Sequence, residues 1–111
     1  MTDKQKIERA AEHFRKCSAT FVALGDTTRQ NLCMALAEAG DEGINVAQLS
    51  GKSVLSRPAV SHHLKVLKDA GIIEPLKRGT HILYRLRLRE SFRPLKTLID
   101  MVDEILAEEE S

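Results

Sequence analysis

The sequence is poor in aromatic residues and in cysteine, and it has no long apolar run. Three Phe, one Tyr and no Trp among 111 residues leave no aromatic platform for stacking the bases of single-stranded nucleic acid. Two cysteines are too few for a disulfide framework, which fits a reducing compartment. No apolar run approaches the roughly 20 residues that cross a bilayer, and the charged N-terminal stretch is unlike a signal peptide. We therefore expect a single cytoplasmic domain over residues 1–111.

The sequence also lacks the motifs of common enzyme sites. It contains no glycine-rich phosphate loop, no zinc-protease helix and no nucleophile elbow. The neighbours Ser61, His62 and His63 offer a nucleophile and a base. Adjacent residues on one helix, however, supply neither a third orienting group nor a pocket. We predict that the protein is not an enzyme and that it uses no cofactor.

The charged residues are divided unevenly along the chain. The net charge is only +1, but residues 52–96 hold eleven Lys and Arg against three Asp and Glu. Residues 97–111 hold six carboxylates and no basic residue. A basic middle indicates an anionic partner, with a merely solvated charged face as the alternative interpretation.

Apolar residues at three- and four-residue steps predict a mainly helical chain. A first helical region has its apolar stripe over residues 7–21 and ends at Gly25. Asp26 is a suitable cap for a second helix over residues 29–39.

The segment "SRPAVSHHLKVLKDAG", residues 56–71, predicts a further helix behind a tight connector. Ser56 can cap it, Pro58 lies in the first turn where its missing N–H does no harm, and Gly71 ends it. Asn45 can cap a short helix just before the connector. Two helices joined in this way form the unit that lays its second helix in the major groove of DNA.

After Gly71 the apolar period changes to that of a β-strand. Residues 72–88 predict two short strands around the turn "KRGT", and a last helix begins near Ser91 with an apolar stripe over residues 95–106. This order of elements predicts a mainly α fold with a small β-hairpin (α+β), namely a winged helix-turn-helix.

The helix predicted after Ser56 has two unlike faces at about 100° per residue. Its buried stripe consists of Val60, Leu64 and Leu67. His63 leans toward this stripe, so we interpret it as a hydrogen-bonded packing residue. The outward-facing polar residues are Ser61, His62, Lys65 and Asp69. Hydroxyl, imidazole and amine groups beside a helix N-terminus are suited to contacts with DNA.

The predicted hairpin adds further cations. Its tip carries Lys77, Arg78 and His81, and Arg85 and Arg87 follow on the second strand. Cations on a projecting loop can follow an adjacent minor groove or its phosphates. Together with the scarcity of aromatic residues, this pattern favours duplex DNA as the partner.

Three stretches carry a resemblance to a known family. "ALGDTTRQNLCMAL", "VAQLSGKSVLSRPAVSHHLKVLKDAGII" and "RGTHILYRL" together resemble the ArsR-type winged-helix repressors of bacteria. Two positions depart from the family pattern. Thr27 stands where the family commonly has proline, and Val54 stands where its helix-turn-helix connector usually has glycine.

The resemblance implies a homodimeric repressor that binds double-stranded operator DNA at an imperfect inverted repeat and is released by a signal. The recognition-helix residues predicted to lie at the DNA are Ser56, Arg57, Ala59, Ser61, His62 and Lys65. The predicted wing contacts are Lys77, Arg78 and His81.

In the family, the first and last helices form the dimer interface. This agrees with two apolar stripes that are too long for the core of one small protomer. The residues predicted to form the interface are Ile7, Phe14, Leu95, Leu98, Ile99, Val102 and Ile105.

The signal cannot be read from the sequence. The Cys-x-Cys motif and the last-helix histidines of metal-sensing relatives are missing, so no metal site is predicted, and His13 and Cys17 at i, i+4 are the remaining candidate ligands. Cys33 is interpreted as a core residue, and a disulfide between the two cysteines stays open. The alternative functions are a winged-helix module that binds a protein partner, and a thiol- or metal-responsive sensor using Cys17.

Overall fold

Most of the chain is helical, as its apolar periodicity predicts. The computed structural model describes residues 1–110, with the backbone alone at Glu110, and Ser111, the last residue of the predicted domain, lies outside the described residues. In chain order the elements are α1 (Asp3–Lys16), α2 (Ser18–Leu24), α3 (Thr27–Ala39), a 3₁₀ turn (Gly40–Glu42), α4 (Val46–Gly51), α5 (Arg57–Asp69), β1 (Ile73–Arg78), β2 (His81–Leu86), α6 (Leu88–Ser91) and α7 (Arg93–Glu110).

Three helices begin at the predicted caps. The carboxylate of Asp26 accepts a hydrogen bond from the backbone N–H of Thr28 at 3.1 Å. The side chain of Asn45 accepts from the backbone of Gln48 at 2.8 Å, and the Gln48 side chain accepts in return at 3.1 Å. Ser56 caps α5. Each cap satisfies backbone donors that have no partner within the helix.

Two boundaries differ from the prediction. The first helical region is divided at Cys17, whose backbone N–H donates to the carbonyls of both His13 and Phe14 at 3.1 Å. This tightened last turn ends α1, and α2 begins at the next residue. The last helix begins at Arg93, two residues after Ser91, because Ser91 ends the short helix α6, where its hydroxyl donates to the Arg87 carbonyl at 2.7 Å.

A cluster of buried side chains holds α2, α3, α4, α5 and β1 together. Its members are Ala23, Leu32, Cys33, Leu36, Ile44, Leu49, Val60, Leu64, Leu67, Ile72 and Ile73. The predicted stripe of Val60, Leu64 and Leu67 lies at its centre, with each residue at most 1% exposed. Since burying one such side chain contributes about 1.5–3 kcal/mol, the stripe decides which face of α5 points inward.

The hairpin is paired as the sequence predicts, and a third short segment joins it. β1 and β2 run antiparallel from the pair Ile73↔Leu86 to the pair Arg78↔His81. Ile44 adds to the other edge of β2 by donating to the Tyr84 carbonyl at 3.0 Å and accepting from the Tyr84 N–H at 2.8 Å. The base of the wing is therefore fixed to the chain segment before α4.

α1 and α7 pack against each other in a smaller layer beside the main core. Ala10, Cys17 and Leu98 are buried although they lie outside the main cluster, and Lys6 donates to the Glu108 carboxylate across the layer. In the described chain, residues 1–110, no helix is long and apolar enough to span a membrane.

Three glycines permit a matched test of the segment that joins the wing. Gly43 has a φ of 81°, and a Cβ added there would lie 3.0 Å from the Tyr84 carbonyl oxygen. Gly40 has a φ of 66° with open space around it, and helical Gly51 also faces open space. Of these three positions, only Gly43 therefore combines a positive φ with a close approach to the Tyr84 carbonyl.

We expect Gly43→Ala to lower the free energy of unfolding by at least about 2 kcal/mol, through backbone strain and crowding together. Gly40→Ala should lower it by a smaller amount, about 1–2 kcal/mol, through strain alone, and Gly51→Ala should raise it by roughly 0.5–1 kcal/mol. Urea unfolding followed by circular dichroism measures all three. Equal losses at positions 40 and 43 would show that the approach to Tyr84 contributes nothing.

Candidate nucleic-acid interface

The N-terminus of α5 is built by its cap and by a proline in its first turn. The hydroxyl of Ser56 accepts from the backbone N–H of Ala59 at 3.3 Å, and Pro58 occupies the first turn. Pro58 removes a backbone donor that would otherwise have no partner within the helix. The first turn therefore leaves few unpaired donors.

The connector between α4 and α5 is held by its own hydroxyl groups. Ser50 donates to the Leu55 carbonyl at 2.8 Å, and the Leu55 N–H donates to the Ser53 hydroxyl at 3.0 Å. Val54 lies at the outside of this turn with its side chain fully exposed. Val54 therefore meets no steric obstacle where the family pattern has glycine.

The outer face of α5 is polar and accessible. Five of the six residues predicted at the DNA are exposed and the sixth, Ala59, is half-buried; the exposed ones are Ser56, Arg57, Ser61, His62 and Lys65. The opposite face carries the buried stripe. The structure thus brings the predicted recognition residues together on one side of one helix.

Lys65 is held by an acidic neighbour one turn further along α5. Its ammonium donates to the Asp69 carboxylate at 2.8 Å, and both side chains are exposed. This hydrogen bond raises the pKa of Lys65 and lowers the pKa of Asp69. Both groups are therefore charged at neutral pH, and Asp69 competes with any phosphate for Lys65.

The two adjacent histidines have different surroundings. His62 is exposed. The side chain of His63 is 19% exposed, and its Nδ1 lies 3.2 Å from Nη1 of Arg29 and 3.8 Å from Oδ2 of Asp26. The interpretation of His63 as a hydrogen-bonded packing residue is confirmed. Its ring meets that of His62 edge-on with centroids 5.8 Å apart.

The wing separates its free cations from its paired ones. Lys77, Arg78 and His81 at the tip are exposed, and none of them forms an ion pair within residues 1–110. By contrast, Arg85 and Arg87 on the second strand and just after it pair with Glu74, at 2.6 and 3.4 Å. On the hairpin, the cations without an ion pair therefore lie at the tip, whereas Arg85 and Arg87 share the single carboxylate of Glu74.

Both cysteines are buried in the described residues. Cys17 is 2% exposed at the junction of α1 and α2, and Cys33 is buried in the main core, with both thiols free. Burial raises the pKa of the Cys33 thiol, which disfavours the reactive thiolate. Across residues 1–110, no three His, Cys, Asp or Glu side chains are grouped to hold a metal ion.

The residues predicted for a dimer interface differ in exposure. Ile7, Phe14 and Ile99 are 53%, 51% and 58% exposed. Leu98 is buried within the protomer, and Leu95, Val102 and Ile105 are half-buried. The exposed apolar face extends to Phe21, whose ring lies 6.0 Å from that of Phe14, and to Leu106.

Sequence reasoning missed two contacts of α5. It placed Asp69 on the outer face but did not pair it with Lys65, although a Lys and an Asp four residues apart on a helix are neighbours. The contact of Arg29 with His63 joins residues 34 positions apart. No local sequence pattern indicates it.

Comparisons of the sequence and of the fold with known proteins agree on one family. The family model described as "Bacterial regulatory protein, arsR family" matches residues 26–74, from the cap of α3 into β1. An uncharacterised HTH-type transcriptional regulator of Methanocaldococcus jannaschii is 34% identical over 97 residues, covering 85% of this chain and 99% of the relative. The transcriptional repressor SdpR of Bacillus subtilis is 33% identical over 66 residues, covering 60% of this chain and 70% of the repressor.

Among solved structures, an ArsR-like transcriptional regulator from Rhodococcus sp. RHA1 matches with a TM-score of 0.71 at 27% identity, covering 90% of this chain and 85% of that one. These proteins are described as regulators or repressors of transcription, which agrees with the prediction that the chain is not an enzyme. With a relative aligned over almost its whole length and a winged fold shared with a solved regulator, the chain belongs to the arsR family of bacterial regulatory proteins.

Proposed function

We infer that the protein is a sequence-specific transcriptional repressor that binds double-stranded operator DNA through α5 and the wing. The observation that carries this conclusion is the division of α5 into a buried apolar face and an exposed polar face that includes Arg57, His62 and Lys65. A helix of this kind behind a tight turn is the element that enters a major groove. Residues 1–111 would then act as one DNA-binding domain, in the cytoplasm where the DNA is.

The proposed contacts divide into those that read bases and those that hold the backbone. Arg57, Ser61 and His62 carry donors suited to base edges, and Ala59 offers a small apolar contact. Ser56 and Lys65 would lie near phosphates. The unpaired tip cations of the wing, Lys77, Arg78 and His81, would contact the adjacent backbone or minor groove.

We further propose that two copies associate through the layer of α1 and α7. Large apolar side chains stay exposed on one protomer along this layer, around Ile7, Phe14 and Ile99. The half-buried Leu95, Val102 and Ile105 would complete the contact, with Leu98 supporting it from within. A two-fold dimer would place two α5 helices on an imperfect inverted repeat, about 34–36 Å apart for adjacent major grooves.

The alternative functions have less support. A protein-binding module would also use a basic face, but Arg57 on the recognition helix and Lys77 and Arg78 at the wing tip, none of them in an ion pair within residues 1–110, lie where a duplex backbone would meet them. A sensor using Cys17 would need a reachable thiol, and Cys17 is 2% exposed.

Substitutions on α5 and on the wing should have different effects. Arg57→Ala and His62→Ala should each lower the affinity for operator by about tenfold or more and weaken discrimination against altered bases. Lys77→Ala and Arg78→Ala should weaken binding to all duplexes alike and reduce the slope of log affinity against log salt by about 0.9 per lost phosphate contact. Fluorescence anisotropy with operator and with scrambled duplex measures both. Unchanged operator affinity in the α5 variants would contradict the assignment.

Removing the acidic competitor of Lys65 should strengthen DNA binding. Asp69→Asn frees the ammonium, and we expect up to about fivefold tighter binding to any duplex at low salt. Asp100→Asn is the matched control, because Asp100 accepts from Lys96 at 3.1 Å in the same i, i+4 arrangement on α7. An equal gain in the control would mean that only net charge matters.

The same comparison has an expected pH dependence. Since the hydrogen bond from Lys65 lowers the pKa of Asp69, the wild-type carboxylate stays ionised to a lower pH than an unpaired aspartate would. The advantage of Asp69→Asn should therefore be constant between about pH 5 and 8.

An added charge on the exposed apolar face should separate the protomers. Ile99→Glu is expected to sediment as a monomer and to lose most of its operator affinity, because a carboxylate would be buried in the contact. Met34→Glu on α3 is the control, since Met34 has a similar exposure of 61% but belongs to neither this layer nor the proposed DNA-contacting elements. A dimer of unchanged stability in Ile99→Glu would contradict the proposed interface.

A further inference from the structure

Arg29 connects three elements with one guanidinium group. Its Nε donates to the Ala23 carbonyl at 2.8 Å, and its Nη2 donates to the Val22 carbonyl at 3.0 Å. These carbonyls belong to the last turn of α2, where no later helical N–H is available to them. The positive charge is also favourable at a helix C-terminus. Two of the three guanidinium nitrogens are thus occupied by the end of α2.

The third nitrogen faces α5. Nη1 lies 3.2 Å from Nδ1 of His63 and 3.3 Å from Oδ2 of Asp26. A guanidinium has only donors, so Nδ1 must accept this hydrogen bond and the ring proton must reside on Nε2. The side chain of Arg29 is only 13% exposed. The planar guanidinium is therefore held by the Ala23 and Val22 carbonyls of α2, by the Asp26 cap of α3 and by His63 of α5.

Gln30 reinforces the same junction. Its side-chain amide donates to the Leu24 carbonyl at 2.7 Å, so consecutive residues of α3 satisfy three carbonyls at the end of α2. Arg29 consequently has a fixed frame of its own. Because the guanidinium of Arg29 is already held by α2, its hydrogen bond can fix the position of the His63 ring.

The hydrogen bond of His63 to Arg29 is a directional contact, whereas the rest of α5 is held against the core by apolar packing. Throughout residues 1–110, no other side chain of α5 hydrogen-bonds to a different helix or strand. Apolar contacts are non-directional, and they tolerate small rotations that a hydrogen bond does not. With an outer radius of about 5–6 Å, rotating the helix by about 10° moves its surface groups by about 1 Å. A displacement of this size spoils a hydrogen bond to a base edge.

We propose that Arg29 and His63 set the rotation of α5, so that both are positioning residues for base recognition although neither belongs to the outer face that reads DNA. This role rests on the proposed function. It assigns sequence discrimination, rather than phosphate binding, to the contact between the two side chains. Loss of the contact should therefore weaken specific binding and spare non-specific binding.

Two substitutions at His63 test the proposal. His63→Leu fills the same space without an acceptor, whereas His63→Asn places its Oδ1 close to the position of Nδ1. A duplex selected from a randomised pool by the wild-type protein serves as the specific probe, and a scrambled duplex of the same composition as the non-specific one. We expect His63→Leu to bind the selected duplex about tenfold more weakly, with unchanged affinity for the scrambled duplex. His63→Asn should stay close to the wild type on both.

A packing variant controls for simple loss of stability. Val66→Ala removes two methyl groups from a half-buried side chain of α5 that packs on the core, without touching a hydrogen bond. It should lower the urea midpoint and leave the ratio of specific to non-specific affinity unchanged. The same change of ratio in Val66→Ala as in His63→Leu would overturn the proposal, because general loosening would then explain both.

The remaining outcomes separate a failure of the positioning role from a failure of the proposed function. If the wild type selects a duplex and His63→Leu keeps its full preference, the positioning role is wrong and the proposed function stands. If the wild type selects nothing and binds all duplexes alike, the proposed function itself fails and the inference with it. A measurement on the unaltered protein is independent of both: ¹⁵N shifts of the His63 ring should show the proton on Nε2, and a proton on Nδ1 would overturn the contact.

Discussion

The burial of one apolar stripe on α5 is the constraint on which the other features depend. Val60, Leu64 and Leu67 are enclosed at the centre of the core, so the helix can present only one side to a partner. On that side the chain places its hydroxyl, imidazole and cationic groups. The same core receives Ile72 and Ile73 at the start of β1, which fixes where the wing begins relative to α5. The reading helix and the wing tip are thus oriented by the same packing.

Features that depend on neighbouring residues could be predicted from the sequence. The caps at Asp26, Asn45 and Ser56 and the two faces of α5 follow from a residue type and a short period, so the structure confirms them. The boundary at Cys17 could not be predicted, because the apolar stripe of the first helical region continues across it. The break is visible only in the hydrogen bonds of the Cys17 N–H to the His13 and Phe14 carbonyls.

Contacts between distant residues required the structure. The bridge between Ile44 and Tyr84 adds a third segment to the wing, and the register of β1 and β2 brings Glu74 opposite Arg85. That pairing changes the assignment of charge, because Arg85 and Arg87 share the carboxylate of Glu74, whereas Lys77 and Arg78 at the tip have no ion pair within residues 1–110. Counting basic residues along the chain predicts the kind of partner, but the ion pairs decide where that partner meets free charge.

A dimeric DNA reader needs a fixed angle between its interface and its reading helix, since both copies of α5 must enter the groove together. In this chain the proposed interface layer contains α1, and α2 follows it after the single residue Cys17. The last carbonyls of α2 are bound by Arg29, which also binds His63 on α5. A short path of helix and hydrogen bonds therefore connects the interface layer to the reading helix. The rotation of α5 that we assign to the contact of Arg29 with His63 is therefore defined relative to the end of α2, and through α2 relative to the proposed interface layer.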